Sequence, residues 1–318
     1  MSENVTERQT YDDEIDLFEL FQTVWSGKWL IVVITAVSAG LSIVVSLQIP
    51  NSYLVEAKIV PAESDDSGKL GGLMAQYGGL ASLAGIQLPS GSGGGQTELL
   101  QEVMQSRVFV TEFIAKHDLA PRLMALKSYD PITQTEMIDS EVFNEKSGVW
   151  LREAKPPRGA EPSSQELYEA FTSAFSIEQD KTSPSIIVSF EHRSPILGEE
   201  IVRLMISEID DYARAKDKGK AQDSIEYLEA KLRETKLVEV EKVLYQMIES
   251  QTKTLMLAEV NEDYAFQVID PPIVPELKSK PKRSLIVVLA TLVGGMVGVL
   301  IVFIRSAIRN RAQRAPAS

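Results

Sequence analysis

Two stretches of the chain run for 21 residues each without a charge, Trp29 to Ile49 and Ser284 to Ile304. As a helix each reaches about 31 Å, enough to cross a bilayer core of about 30 Å. The first, WLIVVITAVSAGLSIVVSLQI, has Trp25, Lys28 and Trp29 at one mouth, as interface anchors do, and Pro50 at the other. The second is entered through Pro271, Pro272, Pro275 and Pro281, which deny the backbone a helix or a central strand. A basic collar, Lys278, Lys280, Lys282 and Arg283, precedes it and Arg305 closes it. The pattern predicts transmembrane helices at 29–49 and 284–304, with a lead-in at 1–28, a loop at 50–283 and a tail at 305–318.

The loop is long enough to fold as a domain of its own. YLVEAKIV (53–60) alternates apolar and polar residues and reads as a strand, as do two runs within 174–191 and a last one at 265–269. Leu70 to Thr97 is uncharged, yet its nine glycines and Pro89 make a poor spanning helix. Its centre, QYGGLASLAGI, reads either as a linker or as a short apolar helix. From Thr97 the spacing turns helical, with Thr97 and Ser106 placed as caps, and a polar, Pro-rich insertion follows to about Ser164. A helix near 165–174 comes next. Ser194 and Pro195 form a helix start, and the longest helical region runs from there to about 257. Its apolar spacing steps by five residues between Leu232 and Leu237. That step fits either a turn between two antiparallel helices or a stutter in one long helix.

Charge refines this picture without deciding the topology. The net charge is −13, which argues against nucleic acid as a partner. The first 28 residues hold seven acids and two bases, unlike the positive start of a cleaved leader. Within them Ile15, Phe18, Phe21 and Trp25 follow Asp12 to Asp16 at roughly helical spacing, an amphipathic stripe for a membrane surface or a neighbour, or simply a lead-in. Lys28 and the arginines of the tail compete with the collar as positive-inside signals. Long loops translocate largely regardless of charge, which favours both termini inside.

Candidate chemistry is sparse. There is no cysteine, and the two histidines, His117 and His192, lack a metal-ligand spacing. The acidic pairs Asp12-Asp13, Asp65-Asp66 and Asp210-Asp211 carry no metal-site setting, and Gly219-Lys220 is no phosphate loop. No catalytic, metal-binding or cofactor-binding residue is expected, and the chain is read as a non-enzyme. What stands out is in the spans: Gly294 and Gly298 form a GxxxG face with Gly295 beside it, and the first span carries Ala36, Ala39 and Gly40 as small residues for it to approach.

DDEIDLFELFQTVWSGKWLI, SYLVEAKIV and VIDPPIVPELKSKPKRSLIVVLATLVGGMVGVLIVFIR resemble the Wzz family of polysaccharide co-polymerases, as do QYGGLASLAGIQLPSG, SGVWLREAKPPRGAEPSSQELYEAF and FEHRSPILGEEIV. The resemblance implies an α+β membrane protein of the bacterial inner membrane. Its two transmembrane helices would bracket a periplasmic α/β base with a long helix or helical hairpin, both termini being cytoplasmic. It implies ring-like homo-oligomers and a role in setting the modal repeat number of lipopolysaccharide O-antigen, with the O-antigen polymerase and its lipid-linked glycan as partners. Pro271, Pro272, Pro275 and Pro281 fall in the motif it marks, with Gly294, Gly295 and Gly298. The collar would then face the periplasm, placed to hold lipid or glycan. The alternative is a membrane adaptor for a separate tyrosine kinase in capsule or exopolysaccharide export, with the Arg-rich tail as its contact. A ligand sensor would need an output domain that the fourteen residues from Arg305 do not supply.

Overall fold

The computed structural model of the chain describes residues 17–62, 94–234 and 238–314. The acids at Asp12 to Asp16, the glycine-rich QYGGLASLAGI stretch, residues 235–237 and the last four residues lie outside them. The chain divides into two units, one of residues 1–50 with 280–318 and the other of residues 51–279.

The first unit is helical. Helix α1 covers Leu17–Ser26 and α2 covers Lys28–Gln48, with Gly27 between them. The stop of α2 has a local cause: Ile49 precedes Pro50, whose ring excludes the helical conformation from its neighbour, and Ile49 sits extended at φ −73°, ψ 122°. The last helix of the chain, Arg283–Arg314, pairs antiparallel with α2. Both helices are long and apolar enough to cross a membrane, over Lys28–Gln48 and Arg283–Ile308. Most of their apolar side chains point outward, Val33, Val37, Leu41 and Val44 on one and Leu285, Leu289, Leu292 and Val293 on the other. On α1, Phe21 and Trp25 are exposed and stacked at 5.9 Å, and the Lys28 ammonium lies 4.7 Å from the Trp25 ring centre.

The second unit is α+β. Its order is β1 (Tyr53–Pro61), α3 (Gly94–Gln105), α4 (Arg107–Lys116), α5 (Ala120–Met124), β2 (Leu126–Asp130), β3 (Thr135–Ile138), β4 (Phe143–Asn144) and β5 (Val149–Trp150). Then come α6 (Ser164–Ala174), β6 (Phe175–Gln179), β7 (Ile186–His192), α7 (Pro195–Glu234), α8 (Val238–Val260) and β8 (Phe266–Asp270); the membrane helix Arg283–Arg314 is α9. The antiparallel sheet has the order β6-β7-β1-β8. Alternation along β1 puts Tyr53, Val55, Ala57 and Ile59 on the inner face, and Ile186, Val188 and Phe190 join them from β7. The first half of α7 crosses that face with Leu197, Ile201, Val202, Met205 and Ile209, the spacing of one helix stripe. Gly198 permits the close approach, since a Cβ there would stand 2.8 Å from Val55 Cγ2. Phe113, Phe171, Phe175 and Phe190 fill the remaining space with ring centres 5.2–5.9 Å apart.

The long helical region is a hairpin. α7 and α8 run past each other, with Lys218 bridged to Glu259 at 3.1 Å and the Arg214 guanidinium donating to the Glu262 carbonyl at 2.7 Å. The five-residue step in the apolar spacing therefore marks a reversal of direction between α7, which ends at Glu234, and α8, which begins at Val238. Two readings of the sequence change. Thr97 is not a cap, because α3 already begins at Gly94; burial of Leu100 and Met104 outweighs the poor helix propensity of the glycines ahead of them. The insertion before Ser164 is also more ordered than its polarity suggests, holding α5 and two short hairpins, β2–β3 and β4–β5. Ser106 does cap α4, accepting from the Phe109 amide at 3.4 Å, and Ser194 caps α7, accepting from the Leu197 amide at 3.1 Å.

Candidate functional site

The membrane pair is built on contacts that only small residues allow. A Cβ at Gly294 would stand 2.5 Å from Ser38 Cβ, and one at Gly298 would stand 3.1 Å from Ile31 Cα. Gly295 is looser, 3.7 Å from Thr35 Oγ1. Gly27, which the sequence reading passed over, is as tight as any: its Cβ would meet Val302 Cγ1 at 2.5 Å. The Ser38 hydroxyl donates across the pair to the Ala290 carbonyl at 2.9 Å. The face of α2 that receives the glycines is thus Ile31, Thr35 and Ser38, a helical 4-then-3 repeat. This corrects the partner residues taken from the sequence. Gly40 is exposed with nothing within 4 Å of its Cβ position, Ala36 is exposed, and only Ala39 is half-buried. Ala36 and Gly40 are small, but lie about 130° to 170° around the helix from the centre of the contact stripe, and Ala39 lies about 70° from it.

The Pro-rich segment leaves β8 as irregular backbone. Pro272, Pro275 and Pro281 are half-buried and Pro271 is exposed, and between them Ile273 and Leu277 stand in the open. Of the collar, Lys278 donates to Asn51 Oδ1 at 3.3 Å, while the side chains of Lys280 and Lys282 are exposed. Arg283 is half-buried and, with Ser46, lines a groove between α2 and α9. Within the α+β unit the first and last residues are stitched together. The Ser279 amide donates to the Ser52 carbonyl at 2.8 Å, and the Ser52 hydroxyl donates to Glu191 at 2.6 Å.

Four charged clusters fix the α+β unit. Asp210, one of the acidic pair noted in the sequence, is a structural anchor. Its Oδ1 accepts from the Tyr264 and Ala265 amides at 2.9 and 2.6 Å, and its Oδ2 accepts from Arg214 at 2.8 Å, which pins the return from α8 into β8 onto α7. Arg152 holds Glu166 through two hydrogen bonds of 2.9 and 2.8 Å and also donates to the Ala160 carbonyl, closing the loop ahead of α6. Glu166 completes a capping box with Ser163. The Arg152 hydrogen bonds and the Ser163 amide hold its carboxyl down at about 2. Arg122 bridges Glu136 and Glu200, and the Ser194 hydroxyl also donates to Glu136. Burial works against the charge on Glu136, and these bonds outweigh it, keeping its carboxyl below the usual range. Lys58 pairs with Asp180 at 2.9 Å in the turn between β6 and β7.

The histidines are structural. His117 ends α4 with Nε2 3.0 Å from Glu208, and burial lowers His192, at the end of β7, to about 4. Among the described residues no three His, Cys, Asp or Glu side chains group as metal ligands.

Comparison with known proteins bears on the same elements. The family model for the Wzz chain length determinant protein matches residues 13–117, from the lead-in through α2 and β1 to α4. Over that first third the chain is similar to the Wzz family. A second model, described as "G-rich domain on putative tyrosine kinase", matches residues 229–307, from the end of α7 through the Pro-rich segment and most of α9. No curated protein matches the chain. Among solved structures it resembles a full-length bacterial polysaccharide co-polymerase at 17% identity and a TM-score of 0.41, over 93% of this chain and 99% of that one. It also resembles a fragment of WzzB, a polysaccharide co-polymerase from Salmonella Typhimurium, at 13% identity and a TM-score of 0.33, over 72% of this chain and all of that one. The likeness to the Wzz family is carried by the match over residues 13–117, both superpositions being below a TM-score of one half.

Proposed function

We propose that this chain is a non-catalytic regulator of polysaccharide length, setting the modal repeat number of the O-antigen built by a membrane polymerase. The observation that carries the reading is the chain length determinant match over residues 13–117, on a chain whose α+β unit is bracketed by two candidate membrane spans. In this reading both termini are cytoplasmic, the α+β unit is periplasmic, and several copies assemble into a ring beside the polymerase and its lipid-linked glycan. Gly294 and Gly298 hold the spans in contact. Pro271, Pro272, Pro275 and Pro281 stiffen the approach to α9, so that movement of the α+β unit is passed to the span instead of being absorbed. Deletion followed by gel profiling of surface polysaccharide tests the function: a lost modal band with polymer still made supports it, and complete loss of polymer contradicts it.

The match over residues 229–307 favours a second reading, an adaptor for a separate tyrosine kinase in capsule or exopolysaccharide export. Co-purification separates the two. A kinase retained by the wild-type chain and lost when Arg305, Arg309, Arg311 and Arg314 are replaced by glutamine supports the adaptor.

A further inference from the structure

Between β8 and α9 the fold leaves apolar side chains uncovered: Leu277 is 83% exposed and Ile273 71%, with Val274 beside it at 41%. The two ends of this strap fix its course. Asp270, the last residue of β8, pairs with Lys58, and the Ser279 amide donates to the Ser52 carbonyl, so the strap passes back along β1 towards its start. Lys278 donates to Asn51 Oδ1 at the same end. From this end the chain leaves for both membrane helices. Ser52 follows Gln48, the last residue of α2, by four residues, and Ser279 precedes Arg283, the first of α9, by four. Four residues reach at most about 14 Å, so Leu277 stays within about 20 Å of the start of α9.

Charge and backbone chemistry say what covers the strap. Across residues 271–283 the only acid is Glu276, against Lys278, Lys280, Lys282 and Arg283, in a chain of net charge −13. A basic run next to a membrane helix is drawn to anionic headgroups, and a lysine stem can lie along apolar surface while its ammonium stays in water. Pro271, Pro272, Pro275 and Pro281 bring no amide donor to a surface where water thins.

We propose that the strap at 273–278 is a membrane-surface anchor, lying in the headgroup layer of the bilayer that α9 crosses. Ile273 and Leu277 sink about 5–10 Å into the headgroup–acyl boundary, and Lys278 with the lysines that follow it meets the phosphates of anionic glycerophospholipids. A second copy of the chain could also bring acids to these lysines. Lipid is the better fit because the tether to α9 holds the strap beside the bilayer whatever the number of copies. The inference needs α2 and α9 to span a bilayer and does not depend on polysaccharide length control, so either can fail without the other.

The chain has no cysteine, so a single fluorophore can be placed at Glu276→Cys in the strap. The control is Val238→Cys, an exposed position at the start of α8, about 33 Å along that helix from the end that returns to the sheet. Each labelled full chain is reconstituted in nanodiscs whose lipids carry a nitroxide at the headgroup or on the acyl chain. With one chain per disc, quenching places the strap probe at the headgroup–acyl boundary and leaves the α8 probe unquenched. Ile273→Asn with Leu277→Asn shifts the strap probe out of lipid by at least about tenfold, the scale of two part-buried aliphatic side chains. Discs of phosphatidylglycerol quench the strap probe more than discs of phosphatidylcholine, and Lys278→Gln, Lys280→Gln and Lys282→Gln together abolish that difference. A strap probe no more quenched than the α8 probe overturns the proposal. So does protection from water that appears only with several chains per disc, which gives the strap to a second copy. Equal quenching in the two lipids removes the role of the lysines.

Discussion

The contact between Gly294 and Ser38 makes a prediction that can be sized from its distances. In Gly294→Ala the new methyl would lie 2.5 Å from Ser38 Cβ, where ordinary contact begins at 3.4 Å. The Ser38 Cβ is fixed to its backbone and cannot rotate away, so α2 and α9 must part by about 1 Å. That movement takes the Ser38 hydroxyl bond to Ala290 from 2.9 Å to beyond hydrogen-bond length. Forcing a methyl into a packed contact costs about 1–3 kcal/mol. The lost interhelical hydrogen bond adds about 0.6 kcal/mol, and better helix propensity returns up to about 1 kcal/mol. The net is a destabilisation of roughly 1–3 kcal/mol. Ser38→Gly also destabilises, but in the double variant the methyl has room. The cycle should therefore show a favourable coupling of about 1–3 kcal/mol. Gly40→Ala, with open space around it, should change stability by no more than about 1 kcal/mol in the stabilising direction.

The assay is reversible unfolding in mixed micelles of rising denaturing-detergent fraction. It is read by cross-linking of a Ser46→Cys/Val287→Cys pair, in a chain with no cysteine of its own. Coupling below about 0.5 kcal/mol, or Gly40→Ala as damaging as Gly294→Ala, would refute the packing argument.

The α+β unit supplies further tests. Asp210→Ala strands two backbone amides and Arg214, costing about 2–4 kcal/mol and lowering the melting temperature by about 5–10 °C; a shift under about 2 °C contradicts the anchor. Two carboxyl and imidazole groups give separate pH windows. Glu166 is held at about 2, below its ordinary value of 4.5, so its contribution is complete above 4.5 and is lost as pH falls towards 2; Glu166→Gln should flatten melting temperature in that window. His192, lowered to about 4 by burial, keeps its neutral form in the fold. The unfolded chain takes up a proton that the fold refuses, so stability falls between pH 6.5 and 4 with Glu136 and Arg193 as the nearest charged influences. His192→Gln should remove that slope, and an unchanged slope assigns it elsewhere.

Much of this architecture was legible because its signals are strong and local. Twenty-one uncharged residues admit few readings besides a span, and alternation in Tyr53 to Val60 corresponds to the buried face of β1. The five-residue step before Leu237 carried the hairpin, though the sequence alone left it level with a stutter. Other features were hidden for physical reasons. Which face of α2 meets α9 depends on rotation about the helix axis, so the smallest residues, Ala36 and Gly40, were a poor guide and Ile31, Thr35 and Ser38 took the contact. Gly27 sits beside Ser26 and Lys28, where a glycine looks like a boundary instead of a close contact. Asp210 was indistinguishable from the solvated acids of its helix until β8 brought two amides to it. The clamp of Arg152 on Glu166 joins residues across a polar loop with no periodicity to announce it.

The central claim is that this chain imposes a length on a polymer it does not make. In the strain from which it is deleted, the full chain is re-supplied from a titratable promoter and the repeat-number distribution of surface polysaccharide is measured at each level. The account predicts that a monotonic distribution gives way to one modal length as the chain accumulates in the membrane, with total polymer little changed. A distribution that stays monotonic while the chain is stably present in the membrane would contradict it.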